Sequence, residues 1–597
     1  MNDYFAEDYV PGTTNILVSL DDSSSHRPVK KTADGIILLP QPSDSPNDPL
    51  NWSNNRKIWH FLLVCFITAL TAAISNDAGA AQDLLNEIYG ISYDAMNTGA
   101  GVLFLFIGWL CIFFAPASSL YGRRITYIIC LLAGTAGSIW FARLTKTADT
   151  IWSQAFVGMS EACAEAQVQQ SLADIFFQHQ LGSVLTVYIL ATLVGSFLGP
   201  LVAHLISEAQ GFRWVGWWGA IVTGGTLLVT LVACEETVFD RASHFPVYDE
   251  KIGLKSEETG EKKENKDTPA LDKEAAALEL FESGDSKDEK AEETEETHET
   301  ERTPEMDEKE TGITSSQAGS PIVRCRLSFD LESSAERPKS YRSRLALITP
   351  SSYITGLGFH QYVKRFVLYF KVFSLPAVWL SGILWGLQDA YMSFFLTTQD
   401  TYFGEEPWNY TETQVALMNV ATLVGAVFGC FMSGVLSDRH VLWLARRKGG
   451  LYEPEYRLWL LFVTMVVSPV GLVMFGVGAA QGGAWPAWVI YGGLALIGFG
   501  WGSIGDTAMS YLMDAYPEIV IQGMVGVSII NNTLACIFTF VCSKWLDAAG
   551  TQNTYIVLAV IDFVSIAFIV PTLYWGKLWR RATRGLYIQL VELASES

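Results

Sequence analysis

The stretch IWSQAFVGMSEACAEAQVQQSLADIF, Ile151 to Phe176, is long enough to cross a bilayer, yet it carries Glu161, Glu165 and Gln169 at four-residue intervals. On an α-helix that spacing stacks the three side chains on one face, one turn apart. A carboxylate at the centre of a membrane helix costs about 2.5 to 3.5 kcal/mol on insertion scales, so a stripe holding two of them does not face lipid. The segment reads as a helix lining an aqueous pathway, where its acids meet a cationic cargo or protons.

On either side of this stretch the chain supplies more helices of the same length. Half of its residues are apolar, and they fall in runs near 20 residues that hold few charges. Spans are expected near residues 57–80, 96–118, 125–143, 150–173, 183–206, 214–234, 374–397, 414–436, 458–479, 486–512, 523–546 and 554–576. The fold class is therefore an all-α membrane protein of 12 transmembrane helices, two sets of six around a charged loop. The expected division is a cytosolic N-terminal tail (1–56), a first six-helix half (57–240), a charged, largely disordered cytosolic loop (241–365), a second half (366–577) and a cytosolic C-terminal tail (578–597).

Most of the formal charge of −22 belongs to that loop, where Asp249 to Glu310 holds 24 acids against ten bases, too polar to build a core. The charge therefore gives no argument for a basic partner or for nucleic acid. The nine cysteines are isolated, without a metal or disulfide spacing. No removable signal peptide precedes the first span, which is expected to act as the targeting signal. No nucleotide-binding loop, dinucleotide fingerprint, zinc spacing or nucleophile elbow is present, so no enzyme activity, cofactor or metal is expected.

Basic residues orient the chain. Arg123 and Arg124 follow the second span, Arg439, Arg446, Arg447 and Lys448 the eighth, and Lys577, Arg580, Arg581 and Arg584 the twelfth, which places these ends and both termini in the cytosol. The loops after spans one and seven are acidic instead, with Asp83, Glu87 and Asp94 and then Asp400, Glu405, Glu406 and Glu412. Of three sequons, only Asn409-Tyr410-Thr411 falls in an outside loop and is a candidate for glycosylation; Asn51 is cytosolic and Asn531 lies within a span.

The halves echo one another: Ser171-Leu-Ala-Asp174 ends span four, and Tyr511-Leu-Met-Asp514 ends span ten. This duplicated six-span unit resembles the layout of the major facilitator fold, with a site near the bilayer midplane, and the resemblance implies that the first and fourth helices of each half line the cavity. The intramembrane acids fall there: Asp77, Glu161, Glu165, Asp389 and Asp506 are candidate ligands for an ammonium group. Asp77 and Asp389 form an apparent symmetric pair, each about 20 residues from its cytosolic end. Asp77 also suits a helix cap, and one of the Glu161/Glu165 pair suits a protonated hydrogen-bond donor to the other. Asp562 in span twelve is expected to serve locally.

Trp385 and Tyr391 are candidate ring faces for the cargo, with Trp152 and Trp501 on the same helices, although interfacial aromatic residues are ordinarily anchors. His204 reads as packing or as a titrating group. Asp174, Arg123, Arg124, Asp438, Arg439 and Asp514 sit at helix ends and are expected to gate the cytosolic face. Serines 328, 340 and 343 stand among basic residues and would suit kinases, while a solvated tether accounts equally for the loop.

Tyr121-Gly-Arg123-Arg124 and Gly434-Val-Leu-Ser-Asp438-Arg439 resemble the two parts of the major facilitator loop motif, with Ser119 and Leu120 departing from it. Gly195-x-x-x-Gly199-Pro200 is similar to the motif of drug:proton exchangers, with Ala203-His204 in place of its closing glycines. Asp48-Pro-Leu-Asn-Trp52, Glu235-Glu-Thr237, Tyr452-Glu-Pro-Glu-Tyr-Arg457 and Ser75-Asn-Asp77-Ala-Gly-Ala-Ala-Gln82 resemble fungal major facilitator transporters of the DHA1 (drug:proton antiporter) group, in its branch for histidinol and polyamines. The resemblance covers nearly all spans. It implies the major facilitator fold and plasma-membrane import of small organic cations, polyamines such as putrescine and spermidine above all, by a monomer. A dication entering down about 100 mV gains about 4.6 kcal/mol, so membrane potential alone, or with protons, suffices as driving force. Drug:proton antiport is the alternative within transporters; a cation-sensing receptor that keeps the transporter fold is the alternative outside them.

Overall fold

In a computed structural model, the structure describes residues 9–15, 30, 38, 40–239, 337–349, 358–404, 406–482 and 484–595. The acidic stretch 249–310 and Ser328 lie outside them. The first half contains α1 (Asn54–Ser75), the short α2 (Gln82–Tyr89), α3 (Tyr93–Tyr121), α4 (Arg123–Ala142), α5 (Thr147–Ile175), α6 (Gln178–Gln210) and α7 (Phe212–Ala233). After the one-turn α8 (Tyr341–Arg344), the second half contains α9 (Phe359–Lys371), α10 (Pro376–Tyr402), α11 (Glu412–Phe431), α12 (Ser437–Arg447), α13 (Leu461–Ala480), α14 (Ala487–Ala515), α15 (Val520–Ala549), α16 (Thr551–Ala567), α17 (Ile569–Ala582) and α18 (Arg584–Ser595).

Each of the twelve expected spans coincides with a long helix or a helix pair. Ten are long and apolar enough among the described residues to cross a membrane, and the bent pair α9–α10 makes an eleventh. The twelfth is α5, 29 residues long, whose stripe of polar residues keeps it below that apolarity. Such a helix is tolerated at membrane depth because protein surrounds it. In the first half α5 packs on α1, α3 and α4; in the second, α14 packs on α10, α11 and α13. The halves meet where α3 lies along α15 and α6 along α11.

Close crossings rest on glycine. A Cβ at Gly425 of α11 would stand 1.7 Å from the Ala495 carbonyl oxygen of α14, and one at Gly108 of α3 would stand 2.9 Å from that of Ser528 on α15. Small residues of this kind let membrane helices approach backbone to backbone.

The loop and both tails carry structure of their own. The second half begins at α9, inside the expected loop, because its amphipathic helix stops at Leu375 and Pro376 restarts the chain 82° away. The C-terminal tail is helical and returns to the body, with Tyr587 and Leu590 buried. Part of the N-terminal tail also docks: β1 (Thr14–Asn15) pairs antiparallel with β2 (Leu451–Tyr452), and Asp48 caps the turn Pro49–Asn51 with its buried carboxylate.

Candidate functional site

Glu161 lies 14 residues from the Arg123-side end of α5, and Asp389 lies 13 residues from the start of α10, so both stand at a depth of about 20 Å. The two helices face each other across the molecule, close enough for the Asp389 charge to act on Glu161 and on Glu165. Ser75 of α1 stands beside Glu161 and Ser528 of α15 beside Glu165. Among the described residues no lysine, arginine or histidine acts on any of the three acids. Three like charges gathered without a counter-ion form a site for positive charge.

Aromatic rings wall the Asp389 side. Trp501 of α14 donates its indole N–H to Asp389 Oδ1 at 2.8 Å, and Trp385, one turn before Asp389 on α10, meets Trp501 edge to face at 6.2 Å. Phe197 of α6 completes the wall, 6.1 Å from Trp501 and 6.4 Å from Phe395. Asn531 of α15 also reaches Asp389. Ring faces beside carboxylates suit an alkylammonium group, whose charge and methylenes each find a surface.

Away from the Arg123-side ends lies a cavity of about 120 Å³, lined by apolar side chains such as Met96, Leu103 and Phe104 together with Asn97, Gln154, His204 and Gln399. Ser75 lines this cavity and also stands beside Glu161, so the cavity comes within one side chain of that acid. His204 is a lining residue.

The structure brings together Glu161, Glu165, Asp389 and Trp385 and leaves the other predicted ligands apart. Asp77 opens a tight turn beyond the end of α1, about 35 Å along from that helix's start, and lines an apolar depression with Ala73, Val194 and Trp218. Its apparent symmetry with Asp389 fails because the break at Pro376 resets the start of α10. Asp506 is buried at a depth like that of Glu165 but on another face, against Ser433 in the π-helical segment Met432–Leu436. Tyr391 is buried and faces Asp562 and Ser565. Trp152 points outward, 53% exposed.

The predicted gating residues form two clusters at the Arg123 end. Arg123 Nε lies 3.4 Å from Asp174 Oδ2, while the backbone N–H groups of Arg123 and Arg124 donate to Glu236 at 2.9 and 3.1 Å. Gly122 makes that cradle, since a Cβ at its φ of +110° would stand 2.4 Å from Glu236 Oε2. Arg124 is held by the Leu231 and Leu345 carbonyls. In the second half Arg457 forks between Asp438, at 2.7 Å, and Asp514, which also accepts from Tyr452. Arg439 is exposed and outside this network.

Glu236, Arg457 and Tyr452 were not among the predicted gating residues; their signal was charge and hydroxyl chemistry at helix ends. Asn531 was legible as an amide inside an apolar span. Asn409 is exposed with a left-handed φ of 47°, and Thr411 caps α11 with its hydroxyl.

Comparison with known proteins fits this geometry. Residues 61–540 match the profile of the Major Facilitator Superfamily. The chain is 50% identical over 590 residues to Protein HOL1 of Saccharomyces cerevisiae, an alignment covering 98% of each. It is 42% identical over 579 residues to an uncharacterized MFS-type transporter of Schizosaccharomyces pombe, covering 97% of this chain and 94% of that one. Similarity to the MFS antiporter QDR3 of Candida albicans is 22% over 564 residues, covering 89% and 79% respectively. With its long apolar helices in two bundles, the chain belongs to the Major Facilitator Superfamily and is a multi-pass, non-enzymatic membrane transporter.

Proposed function

We propose that this transporter imports small organic cations, polyamines such as putrescine and spermidine, across the plasma membrane by alternating access. The observation that carries this reading is the meeting of Glu161, Glu165 and Asp389 between the halves, without a basic partner among the described residues and against the Trp385–Trp501 pair. Two or three carboxylates match a cargo with two or more ammonium groups, and the aromatic wall matches the methylenes between them. The Arg123–Asp174 and Arg457–Asp514 clusters serve as the gate on the cytosolic side, where we place both termini. The protein works as a monomer in the DHA1 group, driven by membrane potential, protons or both. Kinases acting on the 241–365 loop would adjust it.

Uptake of radiolabelled spermidine by cells lacking their own importer, at varied external pH and membrane potential, tests the reading. Accumulation that follows the potential supports it, and absence of accumulation with the protein at the surface sinks it. Drug:proton antiport is the second reading, favoured by Gly195 and Gly199, whose added Cβ atoms would meet α1 at Ala69 and Ala73 at 2.2 and 2.7 Å. Net efflux of a cationic drug coupled to proton entry would promote it. Deleting residues 250–315 separates a receptor from a transporter, since transport survives that deletion and signalling does not.

A further inference from the structure

The helix α9, FHQYVKRFVLYFK from Phe359 to Lys371, holds His360, Lys364, Arg365 and Lys371 and no acid. At about 100° per residue its side chains sort into stripes. Phe359, Val363, Val367 and Phe370 share one face and are exposed, Phe359 by 80%. His360, Lys364 and Lys371 form the adjoining stripe and are exposed as well. Arg365, Leu368 and Tyr369 turn inward and are buried. An apolar stripe bordered by cations on one helix is the build of a helix that lies in a membrane surface.

The position of α9 agrees with that build. The chain axis turns by 82° between this segment and α10. The 27 residues of α10 reach about 40 Å and cross a hydrocarbon core of about 30 Å by themselves, which leaves α9 to run along the membrane plane. The 29 residues of α3 reach about 43 Å; centred on the same core, they place Phe113, near the Arg123-side end, about 5 Å inside the hydrocarbon. The Phe366 ring lies 5.2 Å from that of Phe113, and Tyr362 donates its hydroxyl to the Phe113 carbonyl at 3.1 Å. Beyond the other end of α9, Trp379 of α10, 47% exposed, donates to the Phe373 carbonyl at 2.6 Å. The apolar stripe therefore continues onto the outer faces of two membrane-crossing helices, within the depth of about 5 to 10 Å that interfacial helices reach. The buried side of α9 rests on both halves, since Tyr369 packs with Cys111 and Ile112 of α3 and with Val525 and Ile529 of α15.

We propose that α9 is a docking surface for anionic phospholipids of the leaflet at the Arg123 end, the cytosolic leaflet in the orientation proposed for the chain. Its apolar stripe sits among the acyl chains, and Lys364 and Lys371 meet the headgroups. Charge complementarity selects this occupant: the helix brings cations and no acid to a surface where anionic lipids collect, and each lysine held there strengthens binding about fivefold. Because the same helix rests on α3 and α15, lipid charge acts where the two halves meet.

The test uses the purified full-length protein, one copy per lipid nanodisc and without cargo, so its failure leaves the import reading standing. Hydrogen exchange of residues 359–371 is followed as phosphatidylserine replaces phosphatidylcholine. Phosphatidylserine is expected to slow that exchange, and Lys364→Gln or Lys371→Gln to raise the midpoint fraction of this lipid about fivefold. The double variant loses the response, whereas Lys544→Gln, at the opposite end of α15, keeps it. Equal exchange in both lipids, a double variant that responds as the wild type does, or equal protection by inorganic phosphate in phosphatidylcholine discs overturns the proposal. Protection that appears only with two copies in a disc also overturns it, assigning the face to a second copy instead.

Discussion

Trp501 donates its indole N–H to Asp389 at 2.8 Å, and so fixes from α14 the orientation of an acid carried by α10. Asn531 and Trp385 reach the same carboxylate, so three donors hold it in place at the edge of the aromatic wall.

Removing charge from the cluster should weaken cargo binding more than any other change. Glu165→Gln and Asp389→Asn are each expected to raise the apparent KM for spermidine roughly 10- to 100-fold, the worth of one charge-assisted hydrogen bond. Trp501→Phe, which keeps the ring and loses the donor, should cost about two- to tenfold. Concentration-dependent uptake measures all three, and an unchanged KM in Glu165→Gln would remove it from the site.

Asp506 lies against Ser433 rather than among the three acids. Asp506→Asn should therefore leave the KM for spermidine within about twofold, as expected of a site with no shared partner. A loss as large as that of Glu165→Gln would put Asp506 back among the ligands.

Arg457 spans two acids, Asp438 and Asp514, with a planar fork that lysine cannot reproduce. Arg457→Ala is expected to lower maximal uptake about tenfold or more with little change in KM, because it disturbs the balance between cavity-open states rather than the ligands. Arg457→Lys should recover only part of the rate.

Arg580 and Glu455 form a bidentate pair at 3.0 and 2.7 Å with side chains 1% and 5% exposed. Glu455→Ala strands a buried guanidinium and should cost about 3 to 5 kcal/mol, seen as a loss of thermal stability and of surface protein. Nearby, burial pushes the Glu453 carboxyl up, and Lys577 at 2.6 Å more than offsets this, holding it below the usual carboxylate range. A group depressed on folding stabilises above its unfolded value of about 4.3 and loses that contribution as pH falls further, so Glu453→Gln should flatten the acid limb of a melting-versus-pH curve.

Asn409 is exposed in its loop, and we expect it to carry a glycan. Endoglycosidase treatment should shift the wild-type protein on a gel and leave Asn409→Gln unmoved.

The helices were legible in the sequence because each is written locally, in some 20 apolar residues and the caps or prolines that end them. The stripe on α5 was legible for the same reason: a four-residue spacing fixes one face of a helix, and burying charge there needs an explanation whatever the neighbours. Which acids meet was not a local property. Asp77, Asp389 and Asp506 carry like signals along the chain, and only the break at Pro376, the early end of α1 and the rotation of α14 decide that Asp389 joins Glu161 and Glu165 while the other two do not. Tyr391 and Asp562, which the sequence placed among ligands and bystanders, face one another in the packed structure. The sequence by itself determined the number and length of the helices and the presence of charge among them; helix rotation and crossing, set by packing between residues hundreds of positions apart, decided which charges share a site.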